Sequence, residues 1–445
     1  MTFLAKRIDW YRRNSFDYLS WPTTPTGTIN GTFNVSVSVG LANKKDTFGF
    51  RIDNSYGSLA GAFLTGDNIK IFVGQNVSNA SLSSPNDLII DGIVMEVRQE
   101  ISDGGKVYTI TGKSRSEYLL EALVLLDARG KTPPEIAQEV INFVNNLQGT
   151  ESKTRLITDS TSIPTLRSEE NTNRTHDTFQ YATVYKQAYQ VLEDISSVNY
   201  TKDKRGKYIF YIDNQNKFYF TYKSGTIDSN KVIEGNSTLT PTQLKIGIAS
   251  NEIINFIIAA CGADPNGKGI LAFIPDYPSI QRHGIRARFV STTSYIAQDI
   301  MQTEELNKKS SFDSTNGFVP NAFPYTTYWQ SSKTENNPSD NPPATTINQT
   351  VTCSSKAQYV DAVRREARWR AEEKVKGILK SNSNPRLRVE AEFVRTTSFQ
   401  TADLIAVTIE SHGVNERNMR LVELSYDDYQ TMIALEDDEP IVGTV

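Results

Sequence analysis

Over the first ~115 residues, apolar and polar positions alternate. Phe33, Val35, Val37 and Val39 interleave with Asn34, Ser36 and Ser38, which puts one face of a strand on a core and the other in water. The same short period returns at 68–73, 88–100 and 106–111. Asp103-Gly104-Gly105 separates the last two and supplies the φ > 0 positions that a hairpin needs. Short strands spaced by turn residues predict a barrel or a sandwich.

The period then changes. Segments 116–126 and 133–147 carry apolar residues at helical spacing. In the second, Ile136, Val140, Ile141, Val144 and Leu147 form a stripe, Thr132 is placed to cap it, and Pro133 and Glu135 suit the first turn. A third helix is expected over 184–196. An aromatic hairpin follows, Tyr208–Ile212 and Phe218–Tyr222 around Asp213-Asn214-Gln215-Asn216. β character resumes at 251–260 and 269–274. Residues 308–355 are rich in Ser, Thr, Asn and Pro, the signature of a functional loop or linker. Phe318, Phe323, Tyr325, Tyr328 and Trp329 within it suggest an extended arm that packs on something, such as a neighbouring subunit. The longest helix is expected at 357–380, with charges four apart (Asp361 and Arg365, Glu366 and Arg370, Glu372 and Lys376) that read as a solvated surface helix. Strands from 386 to 435 and an acidic run, Glu436-Asp437-Asp438-Glu439, close the chain.

One internal echo stands out. Asp67-Asn68-Ile69-Lys70-Ile71 resembles Asp403-Leu404-Ile405-Ala406-Val407, and each is followed about 20 residues on by a strand pair (93–97 with 108–110, 419–424 with 431–435). Short β patterns recur by chance, so the echo reads either as coincidence or as the trace of a duplicated β domain.

Composition narrows the function classes. With roughly 150 residues per domain, 445 residues suggest about three domains. Hydrophobic residues at 38% and charged residues at 22% give enough apolar material for a core and argue against a disordered chain. Lysine plus arginine number 47 against 51 acids, a net charge of −4, so bulk electrostatics will not grip nucleic acid, although a local patch stays open. Cys261 and Cys353 are too few for a disulfide scaffold, and His176, His283 and His412 lie too far apart in sequence for histidine-rich metal chemistry. The most apolar stretch, 253–261, falls well short of the ~20 residues that span a bilayer. The N-terminus reaches Lys6, Arg7 and Asp9 with no apolar h-region, so a soluble protein made in a cytoplasm is expected. Asn-X-Ser/Thr triplets such as Asn34-Val35-Ser36 then reflect composition rather than glycosylation.

Candidate chemistry is sparse. Gly262-Ala263-Asp264-Pro265-Asn266-Gly267-Lys268 fits the first positions of a phosphate-binding loop, but Gly269 stands where Ser or Thr should hold magnesium. The residues after it read as a strand, so a hairpin turn is the better account. Glu169-Glu170, Asp427-Asp428 and Asp437-Asp438 are paired carboxylates that read as solvated surface charge, since acid/base work needs two carboxyls facing one cleft and adjacent strand residues such as Asp427 and Asp428 point to opposite faces. Arg364, Arg365, Arg368 and Arg370, and the Tyr208–Tyr222 hairpin with Lys207, Lys217 and Lys223, suit packing better than single-stranded nucleic acid. No HExxH, GxSxG or Cys-His arrangement is present. No catalytic, metal or cofactor site is expected.

The pieces taken in order resemble the phage tail baseplate hub family, related to the hub module of type VI secretion spike proteins. The run Thr65-Gly66-Asp67-Asn68-Ile69-Lys70-Ile71-Phe72-Val73, then Leu88-Ile89-Ile90-Asp91-Gly92-Ile93-Val94, then Tyr108-Thr109-Ile110-Thr111-Gly112-Lys113-Ser114-Arg115, is similar to the family's first barrel. Gly130-Lys131-Thr132-Pro133 opens a unit like its inserted α/β domain. Asp276-Tyr277-Pro278-Ser279-Ile280-Gln281-Arg282-His283-Gly284 is similar to its Asp-x-x-Ser-Ile-x-x-Tyr-Gly stretch, with His283 in place of the aromatic. The helix at 357–380, Pro385 and the strand at 387–394 follow the family's order.

The resemblance implies a β-rich α+β fold, with two tail-tube-like antiparallel β-barrels and inserted α/β and helical/loop domains. The expected segments are 1–115 for the first barrel, 116–240 for the α/β insertion, 241–300 with 385–445 for the second barrel, and 301–384 for the arm and helix. Asp67, Gly92, Gly112, Asp276, Ser279, Ile280, Gly284 and Asp403 become family-pattern fold positions rather than site residues. Implied too is a non-enzymatic homotrimer at the virion's tail tip, made in the host cytoplasm. Its six barrels match a hexameric tail tube on one side and a trimeric central spike on the other, beside other baseplate or distal tail proteins. DNA passes through its lumen without specific binding, for which an acidic balance is suited. The rival readings are a peripheral receptor- or carbohydrate-binding tail protein and a tail-tip peptidoglycan hydrolase.

Overall fold

The computed structural model describes residues 4–13, 22, 24–30, 32–41, 46–54, 62–75, 82, 87–102, 105–147, 156–159, 162–163, 179–196, 208–222, 232–233, 241–249, 253–291, 293–298, 300–301, 325–328, 333–334, 346–347, 350–353, 356–394, 399–409 and 414–437. The chain divides into two compact units. One comprises Met1–Tyr200, Gly206–Glu252 and Pro385–Val445, and the other Thr201–Arg205 and Ile253–Asn384.

The first unit begins with β1 (Leu4–Tyr11), β2 (Gly27–Ile29), β3 (Thr32–Gly40), β4 (Thr47–Asp53), β5 (Asn68–Gln75), β6 (Leu88–Ser102) and β7 (Gly105–Ser114). The turn residues Asp103 and Gly104 lie outside the described residues, but Ser102 pairs with Gly105 as a hairpin requires. An insertion follows: a short helix (Glu117–Glu121), β8 (Leu123–Lys131), a helix (Pro133–Leu147), β9 (Phe179–Gln187), a helix (Ala188–Ser196), β10 (Tyr208–Ile212) and β11 (Phe218–Tyr222). Next come β12 (Val232–Ile233) and β13 (Gln243–Ala249). After the second unit, with β14 (Phe256–Ala263), β15 (Gly269–Pro275), β16 (Ala287–Val290) and β17–β20 between 325 and 353, the chain returns with β21 (Arg386–Val394), β22 (Leu404–Ile409), β23 (Val414–Tyr426) and β24 (Gln430–Asp437).

Two stretches of the insertion depart from the helical reading. Residues 116–126 hold only five helical residues before β8, in which Val124, Leu126 and Ala128 are buried while Leu123 and Leu125 are exposed. Consecutive leucines satisfy a period of two as well as one of 3.6, and pairing with β9 selects the strand. Likewise 184–187 belongs to β9, so the third helix starts at Ala188. The helix Pro133–Leu147 forms as expected. Glu135 Oε2 accepts from the Thr132 backbone N–H at 2.8 Å, and the Ile136-Val140-Ile141-Val144 stripe is fully buried.

Thirteen strands of the first unit make one sheet, ordered β13-β21-β24-β23-β3-β4-β7-β6-β5-β1-β2, with β22 on β23 and β12 on β22. The order repeats itself. β4-β7-β6-β5 in the N-terminal half matches β21-β24-β23-β22 in the C-terminal half, and β3 flanks β4 as β13 flanks β21. Even the irregularities correspond, since β6 carries a bulge between Val94 and Glu96 and β23 one between Leu421 and Glu423. The expected β-rich α+β, largely antiparallel fold is present, but the two barrels are not closed. β3 pairs across to β23, Val37 opposite Tyr426 and Gly40 opposite Glu423, instead of returning to its own half. Both halves therefore bury one shared core that includes Phe50, Ile71, Val389 and Leu421.

In the second unit, β15-β14-β16 form a three-stranded sheet. Among the described residues these strands pair only with one another, so the part of 241–300 that lies in the large sheet is β13. The sheet packs Ile257, Ala259, Cys261 and Ile274 against Val363, Ala367, Ala371 and Val375 of the long helix (Lys356–Asn382). That helix is thus half-buried rather than a solvated one. Its small-residue stripe covers the sheet, while Glu366–Arg370 at 2.8 Å and Glu372–Lys376 at 4.0 Å pair as the sequence suggests. Asp361 pairs instead with Arg364, at 3.8 Å. Within the expected arm, Tyr325–Tyr328 pairs with Thr350–Cys353 and Lys333–Thr334 with Thr346–Ile347. Phe318, Phe323 and Trp329 lie outside the described residues.

Candidate functional site

The sequence echo is a repeated turn. Phe63-Leu64-Thr65-Gly66-Asp67 and Phe399-Gln400-Thr401-Ala402-Asp403 each place the aspartate at the head of a strand, β5 or β22. The Asp67 carboxylate accepts the Leu64 N–H at 3.0 Å, and that of Asp403 accepts the Gln400 N–H at 2.7 Å. Gly66 N–H donates to Val94 O and Val94 N–H returns to Asp67 O, both at 2.8 Å. Ala402 and Leu421 do the same in the other half, at 3.2 and 2.8 Å. The first copy is further tied down. Asp67 also accepts Trp10 Nε1–H at 2.8 Å and the Arg13 N–H at 3.0 Å, and the Trp10 ring tilts on Phe63 at 5.0 Å.

Gly92 and Gly112 are neighbours across the β6–β7 pair and share one cause, the ring of Phe48. A Cβ on Gly92 would lie 2.6 Å from Lys113 O and 2.7 Å from Phe48 Cε1, and one on Gly112 would collide with Ile93 O and the same ring. The stretch 276–284 is a capped turn of helix in the second unit. Asp276 accepts the Ser279 N–H at 3.1 Å, Ile280 O accepts the Gly284 N–H at 2.9 Å, and Gly284 ends the turn at φ +71°. The buried Asn255 amide holds this loop. Its Nδ2 donates to Gly284 O at 2.7 Å and to Ser279 Oγ at 3.3 Å, and its Oδ1 accepts the Arg286 N–H at 2.7 Å. Ser279 Oγ in turn donates to Ser383 O. His283, in the last turn, makes no part of this network among the described contacts. The structure therefore gathers the eight fold positions at four separate places, three turns and one strand crossing, not in one cleft.

Sequence reasoning missed the residues that fix the insertion. Asp91, buried in β6, accepts Asn68 Nδ2 at 2.6 Å and Asn216 Nδ2 at 3.0 Å, with Arg115 at 3.6 Å and Lys70 at 3.5 Å. Asn216 sits at φ +63° in the β10–β11 turn, so this carboxylate pins the inserted hairpin to the N-terminal half. A carboxylate flanked by Ile89, Ile90 and Gly92 in an apolar strand was the available signal, because such a charge needs buried partners. Beside it lies a cavity of about 270 Å³, lined by Val39 and Leu424 at the β3–β23 joint and by Tyr211 and Tyr219. Asp46 lines it, accepting Gly40 N–H at 2.9 Å and Ser114 Oγ–H at 2.8 Å, and burial pushes its pKa up to about 6 against those bonds. Burial also raises Tyr211 and Tyr426 above the ordinary tyrosine range.

The remaining motifs resolve into structure. Asp264 closes the β14–β15 hairpin by accepting the Asn266 and Lys268 N–H groups at 2.8 and 2.9 Å, and Arg364 Nε donates to it at 2.8 Å. This is a turn and not a phosphate cradle. Asp427 accepts Tyr429 and Gln430 N–H in the β23–β24 turn while Asp428 pairs with Lys6, so they share no cleft. The β10–β11 aromatics stack within the fold, Tyr208 on Phe220 at 4.5 Å and Tyr211 on Tyr219 at 4.7 Å. Burial pushes the Cys261 thiol up to about 11. Glu169, Glu170, His176, His412 and Asp438 lie outside the described residues. Among the described residues no group of three or more His, Cys, Asp or Glu side chains could hold a metal, and no helix is long and apolar enough to cross a membrane. What the arrangement does is hold backbone in register.

Known structures share this architecture. A tail protein from Neisseria meningitidis MC58 matches with a TM-score of 0.51 at 10% identity, over 98% of this chain and 97% of that one. The 43 kDa tail protein of prophage MuSo2 from Shewanella oneidensis matches with a TM-score of 0.52 at 10% identity, over 98% and 99%. The sequence matches no protein-family model and no curated protein. The chain has the fold of phage tail proteins along nearly its whole length.

Proposed function

We propose that this chain is a structural hub of a phage tail: three copies form a ring of pseudo-sixfold symmetry that joins a hexameric tube to a trimeric spike and continues the DNA channel. The observation that carries the reading is the duplicated strand order, with its matching turns and bulges, inside one chain. Two equivalent halves per chain give six per trimer, which lets one ring face both symmetries. In this reading 1–115, and 385–445 with β13, supply the two tube-like halves. Residues 116–240 are an insertion pinned by Asp91, and Ile253–Asn384 is an appended unit. The eight fold positions then serve the scaffold, and the partners are the tube, the spike and other tail proteins of the virion.

The full-length fold match to tail proteins supports a structural role in a tail. Light scattering on the chain, alone and with a candidate spike protein, tests the ring reading. A mass near three chains, followed by ring-shaped particles in negative stain, is expected. A chain that stays monomeric with tube and spike proteins alike overturns it.

A further inference from the structure

The joint inside the chain has an unmatched counterpart at its two ends. In the C-terminal half, β22 covers one edge of β23 only as far as Arg420, and beyond the bulge the same edge takes β3, from Glu423 opposite Gly40 to Tyr426 opposite Val37. In the N-terminal half, β5 covers the equivalent edge of β6 only as far as Ile93. Among the described residues, no strand pairs with that edge over 96–102. The strand equivalent to β3 is β13, which pairs with β21 on one side and, among the described residues, is the end of the sheet on the other.

We infer that β13 of one copy pairs antiparallel with the 96–102 edge of β6 in the next, repeating between chains the joint that β3 and β23 make within one. This rests on the ring reading above and names the surface that closes it. The repeat fixes the register. Val37 lies opposite Phe48 and Ile246 opposite Val389, while Phe48 and Val389 lie opposite Gly112 and Leu435. Those two meet Val94 and Leu421 just before the two bulges. Ile246 therefore takes the place of Val37, and Gln99 that of Tyr426. Carried along the strands, the register sets Val97 opposite Ile248, Glu100 opposite Lys245 and Ile101 opposite Leu244.

The pairs this register sets are compatible. Lys245 and Glu100 are both exposed, opposite in charge and on the outward face. Val97, Leu244 and Ile246 all pack on the shared core from its rim and are only partly buried, as edge residues awaiting a neighbour should be. Ile101 follows them on the core side and is 72% exposed in the single chain. Their in-chain counterparts Val37 and Leu424 are fully covered. Each chain offers one edge and accepts one, a heterologous contact that closes when three copies come round.

Cysteines placed at Glu100 and Lys245 test the joint, because directly opposed strand residues lie within disulfide reach, at Cα separations of about 4.5–5.5 Å. In the full-length double variant under mild oxidant, a covalent ladder that stops at three chains is expected, and none in either single variant. A species of three chains by light scattering that gives no ladder overturns the joint and leaves the hub reading standing. A monomer that gives no ladder, with or without spike protein, overturns both. A charge reversal reads the same contact without cysteines. Lys245→Glu should weaken assembly roughly tenfold and Glu100→Lys in the same chain should restore it. Equal assembly by the single and double reversals counts against the joint.

Discussion

Gly66 and Ala402 occupy the same place in two copies of one turn, at φ +89° and +71°, each donating its N–H across to the strand that carries the matching bulge. The left-handed conformation is free for glycine and costs an alanine about 1 kcal/mol. Ala402→Gly should therefore stabilise the chain by up to about 1 kcal/mol in urea unfolding. Gly66→Ala should cost about as much, since the Arg13 Nη1 that its Cβ would meet at 2.9 Å is the end of a flexible side chain and can shift. An Ala402→Gly variant that is clearly destabilised would mean the turns are not equivalent.

Phe48 lies over two glycines that have no room for a methyl group. Gly112→Ala should cost about 1–3 kcal/mol, the range for forcing extra volume into a packed core. A chemical denaturation midpoint unchanged by this substitution would remove the close approach as the reason for glycine there.

Asp46 makes stability depend on pH in an uncommon direction for a carboxyl. Its folded pKa, about 6, lies above the ordinary 3.8, so the fold prefers the protonated acid. The stabilisation is full below about pH 4 and is lost as pH rises through 6, an effect of about 3 kcal/mol for this buried group. Asp46→Asn can still accept from Gly40 and meet Ser114, so it should flatten that part of the profile and gain on the wild type at pH 7.5. Parallel profiles for the two proteins between pH 4 and 7.5 would rule the effect out.

Asp91→Ala should release the inserted hairpin. It removes the carboxylate acceptor of Asn216 and one of the two acceptors of Asn68, and leaves Arg115 buried without this partner charge, a loss of about 3 kcal/mol. Hydrogen exchange should rise most in Tyr208–Ile212 and Phe218–Tyr222, ahead of β6 itself. Uniform exchange across the first unit would instead indicate a general loss of stability.

Local chemistry was legible in the sequence, and long-range pairing was not. Thr132 with Glu135, the Tyr208–Tyr222 hairpin and the Asp264 turn each announce themselves within a few residues, because capping and turn geometry are short-range. The stretch 116–126 misleads because its leucines fit two periods, and contact with β9 decides between them. The long helix misleads because alanines carry its buried stripe and score weakly beside so many charges. The echo at Asp67 and Asp403 pointed to the duplication, but the pairing of β3 with β23 has no local signal at all. For Asp91 the apolar strand around it marks a charge in need of partners, but not that Asn216, 125 residues away, is one of them.

The pairing of β3 with β23 also orders events in time. Gly40 and Glu423 meet in it, so the first partner strand is synthesised several hundred residues before the second. At roughly 5–20 residues per second, translation leaves the β3 edge open for tens of seconds. An uncovered strand edge on a nascent chain invites pairing with a neighbouring polypeptide on the same message. The Asn34, Ser36 and Ser38 side chains give that strand one polar face. Production of this protein is accordingly most exposed to misassembly during synthesis, before residues 423–426 arrive to take the edge.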